Sequence, residues 1–225
     1  MKTLVCRALF AFILLAPLPL ALADGTNHNF AKWEQAISAF ERMDATNPPA
    51  KGCVVFIGSS TVARWKSLAE DFPGVPVANR GFGGSEIVDS AHFAPRVVFP
   101  YEPKVVVLRA GGNDLWASNS VEKVFADYKD FVATVHNKLP DAKIVFISLS
   151  PSLARWSQHE KEKGLNALIA EDMRGKAYLQ YIETYDVPLG VDGLPRAELF
   201  VADKLHFNAE GYKLFAARIR PQLAK

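Results

Sequence analysis

The chain of 225 residues carries 26 Lys and Arg against 24 Asp and Glu, which gives a formal net charge of +2. A balance this close to neutral excludes the strongly basic surface that nucleic-acid-binding proteins use, so we expect no nucleic-acid partner. Only two cysteines occur, and Cys6 lies in a segment that we expect to be removed, which excludes an internal disulfide and a cysteine-based metal site in the rest of the chain.

The first 23 residues have the pattern of a signal peptide. Lys2 and Arg7 precede an apolar run over residues 8–22, and an Ala-Leu-Ala tripeptide at residues 21–23 has the small-x-small pattern of a cleavage site. The run is interrupted by prolines and is short for a membrane-spanning helix, which needs about 20 apolar residues. We therefore predict export to the periplasm or the medium, a single mature domain over residues 24–225, and no stable membrane anchor after cleavage.

The mature part alternates between apolar runs and segments of helical periodicity. Apolar side chains at spacings of three and four predict an amphipathic helix over residues 29–45. Continuous apolar runs rich in β-branched residues predict five buried parallel strands, at residues 53–57, 75–78, 104–108, 142–149 and 178–182. Helical periods lie between and after these strands, at residues 61–71, 86–99, 121–139, 156–174 and 209–223.

This alternation predicts an α/β fold. Parallel strands joined by helices take right-handed crossovers, so the helices cover both faces of the sheet. The expected architecture is a three-layer α/β/α sandwich with a five-stranded parallel sheet, flavodoxin-like, in the strand order 2-1-3-4-5. Ligands of such sheets bind beyond the carboxyl ends of the strands, which directs the search for a site to the loops that follow each strand.

Glycines and polar side chains follow the first three predicted strands, and another polar group precedes the last helix. Taken one at a time, these residues are typical of helix caps and turns. A dinucleotide-binding fingerprint, G-x-G-x-x-G, begins at Gly81 but fails at Glu86, where the third glycine belongs. The four groups are Gly58-Ser59-Ser60-Thr61, Asn79-Arg80-Gly81-Phe82-Gly83-Gly84-Ser85, Gly111-Gly112-Asn113-Asp114 and Asp203-Lys204-Leu205-His206.

Together the four groups fit nucleophilic catalysis by a serine. A serine hydroxyl needs a base to take its proton, a third group to hold that base, and hydrogen-bond donors for the oxyanion that forms on the substrate. Asp203 and His206 are three residues apart, so the carboxylate can bind one imidazole nitrogen and leave the other basic. The candidate oxyanion donors are the Asn113 side chain, a backbone N–H of the glycine turn at residues 83–84, and the Ser60 N–H at a helix start.

The groups resemble the four signature blocks of the SGNH, or GDSL, hydrolases. They occur in the order of that family, over residues 54–211, and the first block is similar to the bacterial branch related to platelet-activating-factor acetylhydrolase subunits, with Gly-Ser-Ser in place of Gly-Asp-Ser. The resemblance implies that Ser60 is the nucleophile and that Ser59 takes the position of the family's aspartate. The other roles that it implies are the triad residues Asp203 and His206 and the oxyanion-hole residues Ser60, Gly84 and Asn113.

The resemblance predicts a serine esterase that hydrolyses carboxylic esters through an acyl-enzyme. Short loops after the strands suggest an open site that favours short acyl groups, carried on a carbohydrate, a lipid or a small alcohol. Two alternatives remain: transfer of the acyl group to a sugar hydroxyl by the same triad, and an exported module that binds a glycan or lipid without turnover. No residues show metal-ligand spacing, so we expect no metal and no cofactor. A further hypothesis is that Arg80 and Asp114 pair and brace the two oxyanion loops.

Overall fold

A five-stranded parallel sheet forms the centre of the computed structural model, which describes residues 28–223. The strands run in the order β2-β1-β3-β4-β5, so the predicted order is confirmed. Strand β1 lies between β2 and β3, with Val54 opposite Val77 on one side and opposite Val105 on the other. The strands are β1 (Val54–Gly58), β2 (Val77–Gly81), β3 (Val105–Arg109), β4 (Lys143–Ile147) and β5 (Leu179–Ile182).

Helices precede, connect and follow the strands. A short 3₁₀ turn at Phe30–Trp33 leads into the first helix, where the amphipathic N-terminal helix was predicted. None of the helices in the described part is long and apolar enough to cross a membrane. The predicted signal segment, residues 1–23, lies outside the described residues and stays a prediction. The α-helices are α1 (Glu34–Asp44), α2 (Ser60–Ala63), α3 (Leu68–Asp71), α4 (Ile87–Val97), α5 (Gly112–Trp116), α6 (Val121–Lys138), α7 (His159–Met173) and α8 (Ala209–Leu223).

Side chains of each strand alternate between two apolar layers, which explains why the strands are apolar throughout. On β1, Val55 and Ile57 belong to a layer with α1, α4, α6 and α7, whereas Val54 and Phe56 belong to a layer with α2, α3 and α8. Both faces of the sheet are therefore covered, and the predicted three-layer α/β/α sandwich is confirmed. Polar side chains are left to the edges and ends of the sheet, where the loops meet.

Two predicted elements differ from the structure. The single helix expected over residues 61–71 is two short helices, because the side-chain N–H of Asn79 binds the Val62 carbonyl oxygen at 2.7 Å and takes the place of the next helical hydrogen bond. The second strand, expected over residues 75–78, lies at Val77–Gly81 instead. It includes the polar side chains of Asn79 and Arg80 because both are hydrogen-bonded to neighbouring elements.

Gly81, the last residue of β2, allows α2 to pack directly on the sheet. A Cβ at this position would lie 2.3 Å from the backbone nitrogen of Ala63 and 2.6 Å from the Cβ of Val62. Both distances are far inside van der Waals contact, so even a methyl group would push the helix away from the strand. Because α2 begins with Ser60, this close approach also fixes the position of a predicted site residue.

Gly81→Ala is expected to lower the free energy of unfolding by about 1–3 kcal/mol or more, the range for overpacking a rigid site. Gly164→Ala, within α7, is the matched control. A Cβ at this position would meet only the side chain of Val121, on α6, at 3.9 Å. There the better helix propensity of alanine should raise stability by about 0.5–1 kcal/mol. Urea denaturation of both variants measures the difference, and equal stability of the two would contradict the packing argument.

Candidate active site

Ser60 lies beyond the carboxyl end of β1, as the first residue of α2. The strand ends at Gly58, which has a φ of +142° and no room for a side chain, because a Cβ there would lie 2.2 Å from the Arg109 carbonyl oxygen. Ser59 then donates its N–H to the same oxygen at 3.1 Å. The chain turns at this contact with β3, and Ser60 follows just beyond the carboxyl ends of the strands.

The structure brings Ser60, His206 and Asp203 together in one chain of hydrogen bonds. Ser60 Oγ lies 2.8 Å from His206 Nε2, and His206 Nδ1 lies 2.7 Å from Asp203 Oδ2. An ionised carboxylate only accepts hydrogen bonds, so Nδ1 is the protonated nitrogen. Nε2 is then the free, basic nitrogen, and it accepts the hydroxyl proton of Ser60. These contacts join residues 146 positions apart in the chain.

The backbone around Asp203 holds its carboxylate in place. Oδ1 accepts the N–H of Leu205 at 2.9 Å and the N–H of His206 at 3.0 Å, while Lys204 takes a left-handed conformation with a φ of 55°. Partial desolvation acts to raise the pKa of Asp203, but the hydrogen bonds from His206 and Leu205 outweigh it and hold this pKa well below its ordinary value. Asp203 is therefore ionised at neutral pH and ready to pair with the imidazole.

The three predicted oxyanion donors come from the ends of the three neighbouring strands. The N–H of Ser60 belongs to the first turn of α2, where no intrahelical acceptor exists. A Cβ at Gly83 would lie 3.9 Å from the Cβ of Ser60, so the turn that holds Gly84 packs beside Ser60. Asn113 follows β3 in the first turn of α5. Ser60 and Asn113 line the same cavity, and the glycine turn packs beside Ser60.

The amide of Asn113 has its orientation fixed by two partners. Its Nδ2 donates to the Ser85 carbonyl oxygen at 2.9 Å, and its Oδ1 accepts from Arg155 Nη1 at 2.9 Å. If the amide were rotated by 180°, its oxygen would face the Ser85 carbonyl oxygen and its NH₂ group would face the Arg155 guanidinium. Neither pair can form a hydrogen bond, so only the observed orientation satisfies both partners. The second N–H of Nδ2 remains for a ligand. Arg155 was not predicted from the sequence.

The predicted pairing of Arg80 with Asp114 is wrong. Arg80 is buried against α1, where its Nη2 binds Asp44 Oδ1 at 2.6 Å and its Nε binds the Tyr101 hydroxyl at 3.0 Å. Asp114 instead accepts the backbone N–H of Ile87 at 2.9 Å and so ties α5 to the start of α4. Burial raises the pKa of Asp114 to about 7, although the hydrogen bond from Ile87 opposes this shift.

A small polar cavity opens beside Ser60 and His206. The space open to the centre of a water molecule is about 60 Å³. The sequence analysis predicted none of the charged residues that line this cavity. Arg109 could have been noticed, because it is a charged residue at the end of the apolar run of β3. Besides Ser60, Asn113 and His206, the residues that line the cavity include the polar Arg109, Arg155, Gln158 and Glu162 and the apolar Pro151, Phe200, Leu205 and Phe207.

No other candidate reaction centre emerges from the described residues. Cys53 is buried at the start of β1, and burial raises the pKa of its thiol, which makes it a poor nucleophile. Within residues 28–223, no three His, Cys, Asp or Glu side chains are placed to bind a metal ion together. The chemistry that the observed arrangement can perform is therefore that of a serine nucleophile with a histidine base.

Solved structures share this fold at low sequence identity. A protein provisionally named as a platelet activating factor, from Streptococcus pneumoniae, has a TM-score of 0.76 at 19% identity, over 86% of this chain and 94% of its own. A GDSL-like lipase from Bacteroides thetaiotaomicron has a TM-score of 0.65 at 17% identity, over 87% and 97%. A carbohydrate esterase family 3 protein from Talaromyces cellulolyticus has a TM-score of 0.58 at 16% identity, over 76% and 96%. At these identities the likeness concerns the fold.

Sequence comparison identifies the family directly. No curated protein sequence matches the chain. The model of one family, described as the GDSL-like Lipase/Acylhydrolase family, matches residues 52–214. The matched segment covers the whole sheet and contains Ser60, Gly84, Asn113, Asp203 and His206. Because the match extends over most of its length, this chain belongs to the GDSL-like lipase/acylhydrolase family.

Proposed function

We propose that this protein is a serine esterase that hydrolyses carboxylic esters with short acyl groups through an acyl-enzyme. The observation that carries the proposal is the hydrogen-bonded chain from Ser60 Oγ through His206 to Asp203, with distances of 2.8 and 2.7 Å. Each member has the partner that its role requires: the nucleophile has a base, and the base has a carboxylate. Membership of an acylhydrolase family supports the same class of reaction.

In the first half of the reaction, Ser60 Oγ attacks the ester carbonyl carbon while His206 Nε2 takes the hydroxyl proton. Asp203 stabilises the imidazolium that forms, because its carboxylate already binds the Nδ1 proton. The oxyanion forms beside the N–H of Ser60, the glycine turn and the free N–H of Asn113. When the tetrahedral intermediate collapses, the bond to the alcohol oxygen breaks, and Nε2 gives its proton to the leaving alcohol.

In the second half, water attacks the acyl-enzyme with help from the same base. His206 takes a proton from the water, the new tetrahedral intermediate collapses, and the proton returns to Ser60 Oγ as the acid leaves. The side chains of Asp203 and His206 are 41% and 13% exposed, so this side of the site is open to solvent. That exposure favours water over a sugar hydroxyl as the acceptor, and so favours hydrolysis over acyl transfer.

The polar cavity supports the preference for short acyl groups. A long hydrocarbon chain entering the cavity would displace water from Arg109, Arg155 and Glu162 without replacing the lost hydrogen bonds. The space of about 60 Å³ holds roughly four to six water-sized groups. An acetyl group needs no such space, because its single methyl group can remain at the mouth of the site next to Ser60.

Ser60→Ala is expected to lower the turnover of p-nitrophenyl acetate by about 10⁶-fold, as the loss of the nucleophile does in other serine hydrolases. Ser59→Ala is the matched control, because it keeps the backbone N–H that binds Arg109 and should retain a measurable part of the activity. Steady-state kinetics and circular dichroism of both variants test the assignment. An active Ser60→Ala together with an inactive Ser59→Ala would show that Ser59, and not Ser60, is the nucleophile.

Asn113→Ala is expected to lower kcat by about 100- to 1,000-fold, the usual loss when one oxyanion donor is removed. The KM should change much less, because the donor acts mainly on the charge that develops in the transition state. Asn137→Ala, on the exposed face of α6, is the control for loss of an asparagine and should behave like the unmodified protein. A kcat loss of similar size in both variants would remove Asn113 from the oxyanion hole.

Hydrolysis is expected to dominate over acyl transfer. With p-nitrophenyl acetate as donor and a monosaccharide added as acceptor, most of the acetyl groups should appear as free acetate, because water reaches the exposed side of the triad. The ratio of acetate to acetylated sugar, measured by chromatography, gives the partition of the acyl-enzyme. Acetylated sugar as the main product would show that the protein is an acyltransferase that uses the same residues.

A further inference from the structure

The turn that holds Gly84 is built around two consecutive glycines. It is closed by the N–H of Ser85, which donates to the Phe82 carbonyl oxygen at 3.3 Å. Gly84 has a φ of +82°, whereas the φ of Gly83 is not positive. A positive φ at the third residue alone identifies a type II turn. The Gly83–Gly84 peptide therefore has the orientation of a type II turn, and this orientation sets the direction of the Gly84 N–H.

Two glycines alone hold such an orientation weakly. Rotation of the central peptide by about 180° converts a type II turn into a type I turn, and glycine accepts the φ that either form requires at the third residue. The rotated peptide points the Gly84 N–H in the opposite direction, so an oxyanion donor at this position would be lost. An esterase that uses this N–H therefore needs a contact from outside the turn that favours one of the two forms.

The indole ring of Trp33 makes such a contact. A Cβ at Gly84 would lie 3.2 Å from Trp33 Cη2, so the ring leaves almost no free space beside that glycine. The ring also meets the ring of Phe82, edge to face, with 5.7 Å between the centroids. Phe82 is buried and donates its N–H to the Gly58 carbonyl oxygen at 2.9 Å. Trp33 thus contacts both the fixed first residue of the turn and the glycine with the positive φ.

Trp33 ends a 3₁₀ turn that is attached to α4. The Phe30 ring stacks on the His92 ring, with 3.8 Å between the centroids. His28 Nε2 lies 2.8 Å from Oδ1 of Asp89, a buried residue in the first turn of α4. Because α4 begins directly after the glycine turn, these contacts hold the 3₁₀ turn, and with it the indole ring, next to that turn.

We propose that Trp33 is a positioning residue, which keeps the Gly83–Gly84 peptide in its type II orientation and so keeps the Gly84 N–H in place as an oxyanion donor. The inference rests on the proposed esterase function, in which Gly84 belongs to the oxyanion hole. The family match begins at residue 52, so Trp33 lies in a part of the chain that this match does not cover. The oxyanion hole thus depends on the N-terminal segment (residues 28–44) as well as on the residues of the family's own blocks.

Trp33 acts through the turn and not on the substrate. It is not among the residues of the described part of the chain that line the cavity beside Ser60. A rotated peptide removes a donor that acts mainly on the charge that develops in the transition state, so the effect of Trp33 falls on kcat and leaves KM nearly unchanged.

Trp33→Ala is expected to lower kcat for p-nitrophenyl acetate by about tenfold, the bias between two conformations that one good aromatic contact supplies. Phe40→Ala is the matched control, because Phe40 is another half-buried aromatic residue of the N-terminal segment and its ring packs on Arg80 instead of the turn. This control should keep its kcat. Circular dichroism and urea denaturation show that both variants are folded in the assay. An equal loss of kcat in both would overturn the proposal.

Gly83→Pro supplies the same bias by another route. Proline at the second position followed by glycine at the third is typical of a type II turn, and a Cβ at Gly83 would meet only the Cβ of Ser60, at 3.9 Å. Added to Trp33→Ala, this substitution should restore most of the lost kcat, and failure to do so would contradict the proposed role. Gly83→Pro alone should keep its kcat. A large loss there would make the Gly83 N–H the donor and would also overturn the proposal.

The orientation of the peptide can also be measured without catalysis. In a type II turn, a ψ of about +120° at the second residue brings an Hα of Gly83 close to the N–H of Gly84, whereas the ψ of about −30° in a type I turn separates them. The NOE between these protons should be strong in the unmodified protein and in Phe40→Ala, and weaker in Trp33→Ala.

An unchanged NOE in Trp33→Ala would show that Trp33 does not hold the turn. This result is independent of the proposed function, because the NOE is measured without substrate. Failure of the unmodified protein to hydrolyse any ester would instead reject the esterase, and the NOE would still decide whether Trp33 holds the Gly83–Gly84 peptide.

Discussion

The site depends on one close backbone contact between the neighbouring strands β1 and β3. The end of β1 can approach β3 only because Gly58 has no side chain, and the Arg109 carbonyl oxygen then accepts the N–H of Ser59. This contact turns the chain so that Ser60 begins a helix just beyond the carboxyl ends of the strands. The same residue of β3 also lines the cavity beside Ser60. Arg109 thus holds the turn before Ser60 through its backbone and also belongs to the wall of the cavity beside that serine.

The loops around Ser60 are also tied to one another by polar contacts. Asn113 binds the Ser85 carbonyl oxygen, Asp114 binds the N–H of Ile87, and Arg155 binds the Asn113 oxygen. These contacts connect the loops that follow β2, β3 and β4, which the apolar layers of the sheet alone would leave free to shift. Donors that are fixed before the substrate arrives need no reorganisation as charge develops, which is the condition for effective oxyanion stabilisation.

The sequence predicted the parts of this design that rest on pattern, and it did not predict those that rest on long-range geometry. The α/β class, the strand order and the family are confirmed, because buried strands leave continuous apolar runs and the site residues fall in four recognisable blocks. The pairing of Arg80 was wrong because nothing in the sequence shows that α1 brings Asp44 to this strand. Gln158 and Glu162 were missed for a similar reason. Gln158 directly precedes α7 and Glu162 lies on its first turn, and only the three-dimensional structure reveals that both line the cavity beside Ser60.

Ser60 lies between two environments with opposite properties. On one side, Asp203 is 41% exposed, and its ionised form is maintained by hydrogen bonds rather than by burial. On the other side, Arg109 and Glu162 are almost fully buried and carry charges that burial disfavours. An esterase with a single catalytic serine needs water to enter for the second half of its reaction, and it needs a separate, preorganised surface to hold the ester for the first half. The asymmetry of the site agrees with the proposed reaction, because the side of Asp203 is open to water and the side of Arg109 and Glu162 is not.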